Sequence, residues 1–165
     1  MKQIIQISQI PKLVKYLSNL NKTITLVGGC FDVVHLGHLT FLKKAALTAD
    51  VLIILLESDE NIKKIKGDSR PINSQINRAK FLTHLKSVDF IILLPEMKTD
   101  QDYLNLITQI KPNTIAVTKN DPKLKLKSFE AKSINANLLT VTNVIPQQST
   151  SLVIKKCYNT RSIKL

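Results

Sequence analysis

The chain has 165 residues, enough for one domain with its own hydrophobic core, and 24 basic residues against 12 acidic ones give it a formal net charge of +12. It has no apolar run of the length of a membrane span and no secretory leader, so we expect a cytoplasmic protein without a membrane partner. Its two cysteines, Cys30 and Cys157, are too few for a disulfide framework. We predict a single domain over 1–165, with an N-terminal helix over 8–20 and a core over 23–157.

The pattern of the positive charge argues against a nucleic-acid partner. Only three of the basic residues are arginines, and arginine is the residue best suited to bidentate recognition of bases. The lysines are scattered, and aromatic residues make up 5% of the chain, so no platform for stacking bases is indicated. A positive field would equally attract small polyanionic substrates.

Hydrophobic patterning predicts helices alternating with strands. In chain order, we expect a helix over 8–20, a strand over 24–27, a helix over 38–48, a strand over 51–56, a helix over 74–86, a strand over 90–94, a helix over 103–110, a strand over 114–117, a helix over 126–134, a strand over 138–141 and a helix over 149–156. The continuous apolar run over 51–56 is typical of a central parallel strand. The alternation predicts an α/β fold, a Rossmann-like three-layer sandwich with a five-stranded, mostly parallel sheet.

The most informative segment, 28–38, directly follows the first predicted strand. Three of the chain's four glycines lie in it, and two histidines, His35 and His38, stand three residues apart. A strand, a glycine loop and a helix N-terminus together present backbone N–H groups and the positive end of a dipole to an anion. Histidines on one face at that position can donate hydrogen bonds to a phosphate and stabilise charge that develops on it.

Other sites that use glycines or paired histidines fit the segment less well. A His-x-x-His pair can bind zinc, but the chain has no second pair of ligand residues at a matching spacing, and we expect no protein-bound metal. No Gly-Lys-Ser/Thr follows the glycines, which excludes a Walker-type phosphate loop. The Gly-x-Gly-x-x-Gly dinucleotide fingerprint is missing as well.

The segment resembles the signature of the cytidylyltransferase-like nucleotidyltransferases in two runs, Gly29-Cys30-Phe31-Asp32 and His35-Leu36-Gly37-His38. The resemblance implies that both histidines hold the α-phosphate of a nucleoside triphosphate while a phosphate oxygen of a second substrate attacks it in line. Pyrophosphate leaves, and Mg²⁺ is carried on the triphosphate. The remaining residues expected to bind the nucleotide here are Gly29, Cys30, Phe31, Asp32 and Gly37.

A second stretch resembles one branch of that family, the heptose 1-phosphate adenylyltransferases. The matching runs are 58–60, 66–67, 70–73, 78–79 and 88–89, together with Leu85. Lysine suits a phosphate as a point charge, and Gly67 beside it lets the loop fold over a ligand, so we assign Lys66 to catalysis. We expect Asp59, Arg70 and Arg78 to bind the acceptor substrate, although a solvated strand-to-helix corner is an equally open interpretation of Asp59.

The C-terminal third shows weaker signals. The run Ser149-Thr150-Ser151 resembles the Ser-Thr-Thr of the family, which binds nucleotide phosphates, and alone it would be an ordinary helix cap. Asp121 follows the fourth predicted strand, as in the family, but the family's neighbouring glycine and aromatic residue are absent. Val144 occupies the position of an arginine in the cytidylyltransferases, which favours the adenylyl branch.

These signals predict a nucleotidyltransferase that uses a nucleoside triphosphate, preferably ATP, and a phosphorylated acceptor such as heptose 1-phosphate. A glycerol 3-phosphate cytidylyltransferase and a flavin mononucleotide adenylyltransferase remain alternatives within the class. A basic binding module that has kept the fold without turnover is an alternative of another class. Members of the family are often dimers, so a homodimer is left open.

Overall fold

The computed structural model describes residues 3–142, in which a single parallel sheet is covered by helices on both faces. Its strands are β1 (Gln3–Gln6), β2 (Ile24–Gly29), β3 (Val51–Leu56), β4 (Phe90–Leu93), β5 (Thr114–Thr118) and β6 (Asn137–Thr142). Their order across the sheet is β1-β4-β3-β2-β5-β6, and every pairing is parallel. The predicted α/β fold is therefore confirmed.

The helices form the two outer layers. They are α1 (Ile10–Asn19), α2 (Leu36–Ala45), α3 (Asp59–Lys66), α4 (Gln75–Thr83), α5 (Asp100–Ile110) and α6 (Leu124–Ser133), and short 3-10 turns precede α1 and follow α2. Helices α1, α5 and α6 contribute to the hydrophobic cluster on one face of the sheet, and α2 and α4 to the cluster on the other. This arrangement is the predicted three-layer sandwich.

The central position of β3 explains its uninterrupted apolar sequence. All six of its residues are buried, and it pairs with β2 on one side and β4 on the other. Val51, Ile53 and Leu55 belong to the first cluster, whereas Leu52, Ile54 and Leu56 belong to the second. Because successive side chains of a strand point to opposite faces, both faces of β3 must be apolar.

Two elements differ from the sequence-based expectations. The sheet has six described strands rather than five, because β1 forms an edge strand with glutamines at both ends and only Ile5 buried. Four residues with one apolar side chain in the core give too weak an alternation to indicate a strand. The polar stretch after β3 forms α3, which Ser58 caps at its start and Gly67 ends with φ +91°.

Several predictions concern residues that the structure does not describe. The predicted helix over 149–156, with Ser149, Thr150 and Ser151, lies outside the described residues, and so does Val144. The extent of the single domain, 1–165, stays a prediction. No helix between residues 3 and 142 combines the length and the apolar character needed to span a membrane.

Candidate active site

The predicted anion site forms at the carboxyl edge of the sheet. Strand β2 ends at Gly28 and Gly29, which are in register with the last two residues of β3. His35 then adopts an extended conformation as the N-cap of α2, and its Nδ1 accepts a hydrogen bond from the backbone N–H of Gly37 at 3.1 Å. This arrangement of strand, loop and helix N-terminus is the one found in anion-binding α/β proteins.

The two histidines lie against each other at this helix mouth. Their ring centroids are 3.9 Å apart with an interplanar angle of 28°, and the ring of Phe31 lies 5.2 Å from that of His38. The Nδ1 atom of His38 is buried and has no hydrogen-bond partner among residues 3–142. Buried polar atoms normally have a partner, so this nitrogen leaves a hydrogen bond to be completed.

The surroundings favour the uncharged form of both imidazoles. Burial, reinforced by the nearby His35 and Lys66, lowers the pKa of His38 to about 4. Burial and Lys66 also lower the pKa of His35 from its usual value. At neutral pH the pair can therefore donate hydrogen bonds without carrying charge, and Lys66 supplies the positive charge of the site.

This environment predicts a pH dependence of folding. His38 binds a proton near pH 6.5 in the unfolded chain but only near pH 4 in the folded one, so its contribution to stability is present above pH 6.5 and declines as the pH falls towards 4. The loss amounts to about 3 kcal/mol of unfolding free energy. Urea denaturation at several pH values should show a shallower decline for His38→Asn than for the unchanged protein, with His84→Asn, at an exposed position, as the control. Equal slopes for His38→Asn and the unchanged protein would contradict the environment described.

Asp32 and Arg70, predicted to bind different substrates, form an ion pair with each other. The buried Asp32 carboxylate accepts hydrogen bonds from Arg70 Nε at 2.6 Å and from the backbone N–H groups of Ile72 and Asn73 at 2.9 and 3.0 Å. Burial alone would raise the pKa of Asp32, but these hydrogen bonds outweigh it and lower the pKa. The pair joins the loop after β2 to the loop before α4.

Arg78 has a similar positioning role. Its side chain is fully buried, and its guanidinium donates to the backbone carbonyls of Cys30, Glu57 and Asn73 at 2.5, 2.7 and 3.0 Å. It also forms an ion pair with Asp59 at 2.8 Å. The predicted contact of Arg78 and Asp59 with the acceptor stays a prediction, and in the structure the two side chains connect three loops of the site.

A cavity of about 300 Å³ is lined by Gly28, Gly29 and Cys30, in the segment that precedes the histidine pair. Its walls come from the ends of β2, β3 and β5 and from α3, α5 and α6. Most of the lining is apolar. The polar and glycine residues that line it are Gly28, Gly29, Cys30, Glu57, Lys66, Tyr103, Asp121, Lys123, Lys127 and Glu130. Lys66 connects the cavity with the histidine pair, because it lines the cavity and its charge lowers the pKa of both histidines.

The other residues that were predicted to bind the nucleotide lie in different environments. A Cβ atom on Gly29 would stand 2.8 Å from the ring of Phe31, so only glycine fits there without a shift. Phe31 is itself buried in the core, and burial raises the pKa of the Cys30 thiol beside the cavity. The carboxylate of Asp121 pairs with Lys127 at 2.7 Å.

Sequence reasoning did not assign a role to Tyr103, Asn61 or Lys123, which lie around Glu57. The hydroxyl of Tyr103 donates to the Glu57 carboxylate, 3.0 Å from each oxygen, and Asn61 Nδ2 donates to the same carboxylate at 3.1 Å. Lys123 Nζ lies 5.0 Å above the Tyr103 ring. The position of Glu57 directly after a buried strand is a signal that can be recognised in the sequence. The contact of Tyr103 with Glu57 cannot be recognised in this way, because the two residues are 46 positions apart in the chain.

The comparison with family models identifies the family of the chain. The model of the cytidylyltransferase-like family matches residues 26–163. The chain belongs to this family. A cytidylyltransferase-like chain is a nucleotidyltransferase, so the sequence-based assignment to that enzyme class is confirmed.

Curated relatives agree with the branch as well as the family. The chain is 36% identical over 152 residues to the bifunctional protein HldE of Aliarcobacter butzleri, covering 90% of the chain and 29% of the relative. It is 38% identical over 148 residues to the bifunctional protein HldE of Campylobacter jejuni, covering 88% of the chain and 30% of the relative. These relatives confirm the resemblance to the heptose 1-phosphate adenylyltransferase branch, and the chain spans less than a third of their length.

Solved structures support the fold of this cytidylyltransferase-like chain. A lipopolysaccharide core biosynthesis protein from Thermoplasma volcanium gives a TM-score of 0.57 at 21% identity, covering 75% of this chain and 97% of that one. A pantoate-beta-alanine ligase from Francisella tularensis gives a TM-score of 0.67 at 19% identity, covering 89% of this chain and 69% of the other. At these identities the likeness concerns the fold alone.

Proposed function

We propose that the chain transfers an adenylyl group from ATP to a sugar phosphate such as heptose 1-phosphate, releasing pyrophosphate. The observation that carries this proposal is the stacked histidine pair at a helix N-terminus, close to Lys66, which lines the cavity. The relatives named HldE and the matching runs between residues 58 and 89 support the choice of acceptor.

The chemistry needs no nucleophile from the protein. An oxygen of the acceptor phosphate forms a bond to the α-phosphorus of ATP, and the bond from that phosphorus to the bridging oxygen of the β-phosphate breaks. Negative charge then grows on the non-bridging oxygens and on the leaving pyrophosphate. His35, His38 and the backbone N–H groups at the start of α2 donate to these oxygens, and Lys66 neutralises part of the charge.

The proposed metal requirement concerns the triphosphate. Within residues 3–142, no three histidine, cysteine, aspartate or glutamate side chains are grouped so that they could hold a metal ion. This arrangement fits Mg²⁺ that arrives with ATP and is held mainly by phosphate oxygens and water. The described residues then bind and orient the phosphates, and Mg²⁺ supplies further charge neutralisation when bound.

The cavity is the proposed acceptor site, although Gly29, Cys30 and Asp121, which were predicted to bind the nucleotide, line it as well. Lys66, at the end of α3, lines the cavity and acts electrostatically on His38. An acceptor phosphate bound at Lys66 would therefore lie near the α-phosphate that this acceptor attacks. The carbon skeleton of the acceptor would pack against the apolar walls, while Glu57 and its neighbours offer polar partners. A mostly apolar cavity with a few convergent polar groups is the usual form of a small-molecule site.

A screen of pyrophosphate release tests the proposal directly. Four nucleoside triphosphates would each be combined with heptose 1-phosphate, glycerol 3-phosphate and flavin mononucleotide at equal Mg²⁺. We expect ATP with the sugar phosphate to be the best pair, with CTP about ten- to a hundredfold poorer in kcat/KM because a base with the wrong polar edge leaves buried groups unpaired. Reactions without acceptor give the background.

Each alternative has its own signature in that screen. A preference for CTP with glycerol 3-phosphate would identify a cytidylyltransferase, and turnover with flavin mononucleotide alone would identify a flavin adenylyltransferase. Binding of triphosphate without pyrophosphate release from any pair would favour a non-catalytic binding module.

A further inference from the structure

Glu130 is a buried carboxyl group at the wall of the cavity. It lies on α6, is only 4% exposed, and lines the cavity together with Lys123 and Lys127 of the same helix. Among the residues described, 3–142, none forms a hydrogen bond or ion pair with the Glu130 side chain. The charged groups nearest to it are Lys127, Asp100 and Lys123.

The other carboxyl groups of the cavity have partners. Glu57 accepts hydrogen bonds from Tyr103 and Asn61, and Asp121 is paired with Lys127. Glu130 also lines the cavity but differs from both, because no residue between 3 and 142 donates a hydrogen bond to its side chain. Burial raises the pKa of Glu130, as expected for a carboxyl group that no donor stabilises.

Glu130 and Lys66 line the cavity from different helices. Lys123, Lys127 and Glu130 recur at the spacing of one helix face, so α6 presents a polar strip to the cavity. Lys66, which borders the histidine pair, enters the cavity from α3. An acceptor with its phosphate at Lys66 would extend the rest of its skeleton towards α6.

We propose that Glu130 is a specificity-determining residue that hydrogen-bonds a hydroxyl group of a polyhydroxylated acceptor. This inference rests on the proposed function, because it takes the cavity as the acceptor site. A hydroxyl group suits the position because it can donate to an ionised carboxylate and can both donate to and accept from a protonated carboxyl group. An aliphatic acceptor would offer Glu130 no hydrogen bond.

The test compares acceptors that differ in hydroxyl groups. Glu130→Met keeps the approximate length of the side chain and removes its hydrogen bonding, while Glu130→Gln retains a carbonyl oxygen. We expect Glu130→Met to raise the KM for heptose 1-phosphate on the order of ten- to a hundredfold, with kcat and the KM for ATP unchanged. Glu130→Gln should recover part of that loss, and glycerol 3-phosphate, with fewer hydroxyl groups, should be affected less. Glu60→Met, at an exposed position on α3, is the matched control.

The outcomes separate this inference from the proposed function. If the unchanged protein releases pyrophosphate with a sugar phosphate but Glu130→Met leaves its KM unchanged, the inference alone is overturned. An increase in the KM for ATP would overturn it too, because Glu130 would then contact the nucleotide, for example through a base amino group. If the unchanged protein turns over no sugar phosphate, the proposed function fails and the inference fails with it. Thermal unfolding should show Glu130→Met to be as stable as the unchanged protein or more so, since a buried unpaired carboxyl is removed.

Discussion

Replacing His38 with alanine is expected to lower kcat for pyrophosphate release on the order of a hundred- to a thousandfold while the fold survives. The physical reason is the loss of a preorganised donor at a position where charge develops on the α-phosphate. His38 is a cleaner probe than His35, because His35 also caps α2 through its contact with Gly37. His35→Ala should reduce kcat to a similar extent and also cost about 1 kcal/mol of stability.

The measurement is steady-state turnover with ATP and the best acceptor of the screen, together with urea denaturation of each variant. His84→Ala is the matched control, because His84 is exposed at the end of α4. Turnover within a few-fold of the unchanged protein in both His35→Ala and His38→Ala would refute the role assigned to the pair.

Arg78→Met should be the most destabilising of the substitutions considered for the site. It leaves the carboxylate of Asp59 and the carbonyl oxygens of Cys30, Glu57 and Asn73 without the donor that they now share. Each buried acceptor that loses its donor costs about 1–3 kcal/mol, and Asp59, which is 32% exposed, adds less, so the three carbonyl oxygens and this carboxylate together give a loss of about 3–5 kcal/mol. We therefore expect a loss of that size in the free energy of unfolding, measured by urea denaturation.

Lys80→Met, on the exposed side of the same helix, serves as the control for the loss of a positive charge. The two interpretations of Arg78 give opposite patterns. If Arg78 contacted the acceptor as the sequence pattern suggested, the variant would keep its stability and show a higher KM for the acceptor. A stable variant would therefore contradict the positioning role.

The location of the site could be predicted because its main signals are local in sequence. His35 and His38 are three residues apart and follow a strand and a pair of glycines, so elementary helix and strand geometry places them at the sheet edge. Lys66 was found in the same way from its position beside Gly67. In these cases the spacing along the chain determines where the side chains lie.

The roles of Asp32, Arg70 and Arg78 could not be read from the sequence in the same way. A motif shows which residue type is present, but whether a charged side chain meets a ligand or another side chain depends on contacts between distant segments. Asp32 and Arg70 are 38 residues apart, and Arg78 contacts a carbonyl 48 residues away. Glu130 escaped notice because α6 has a weak apolar pattern that does not show which of its faces is buried.

The three loops tied together by Arg78 have a consequence for binding energetics. A ligand that orders flexible loops must offset the conformational entropy that those loops lose, about 1–2 kcal/mol for each residue fixed. Here the loop after β2, the start of α3 and the segment before α4 are already joined by one guanidinium group and by the Asp32 carboxylate. A ligand that binds between these loops would therefore lose less of its binding free energy to the ordering of the chain.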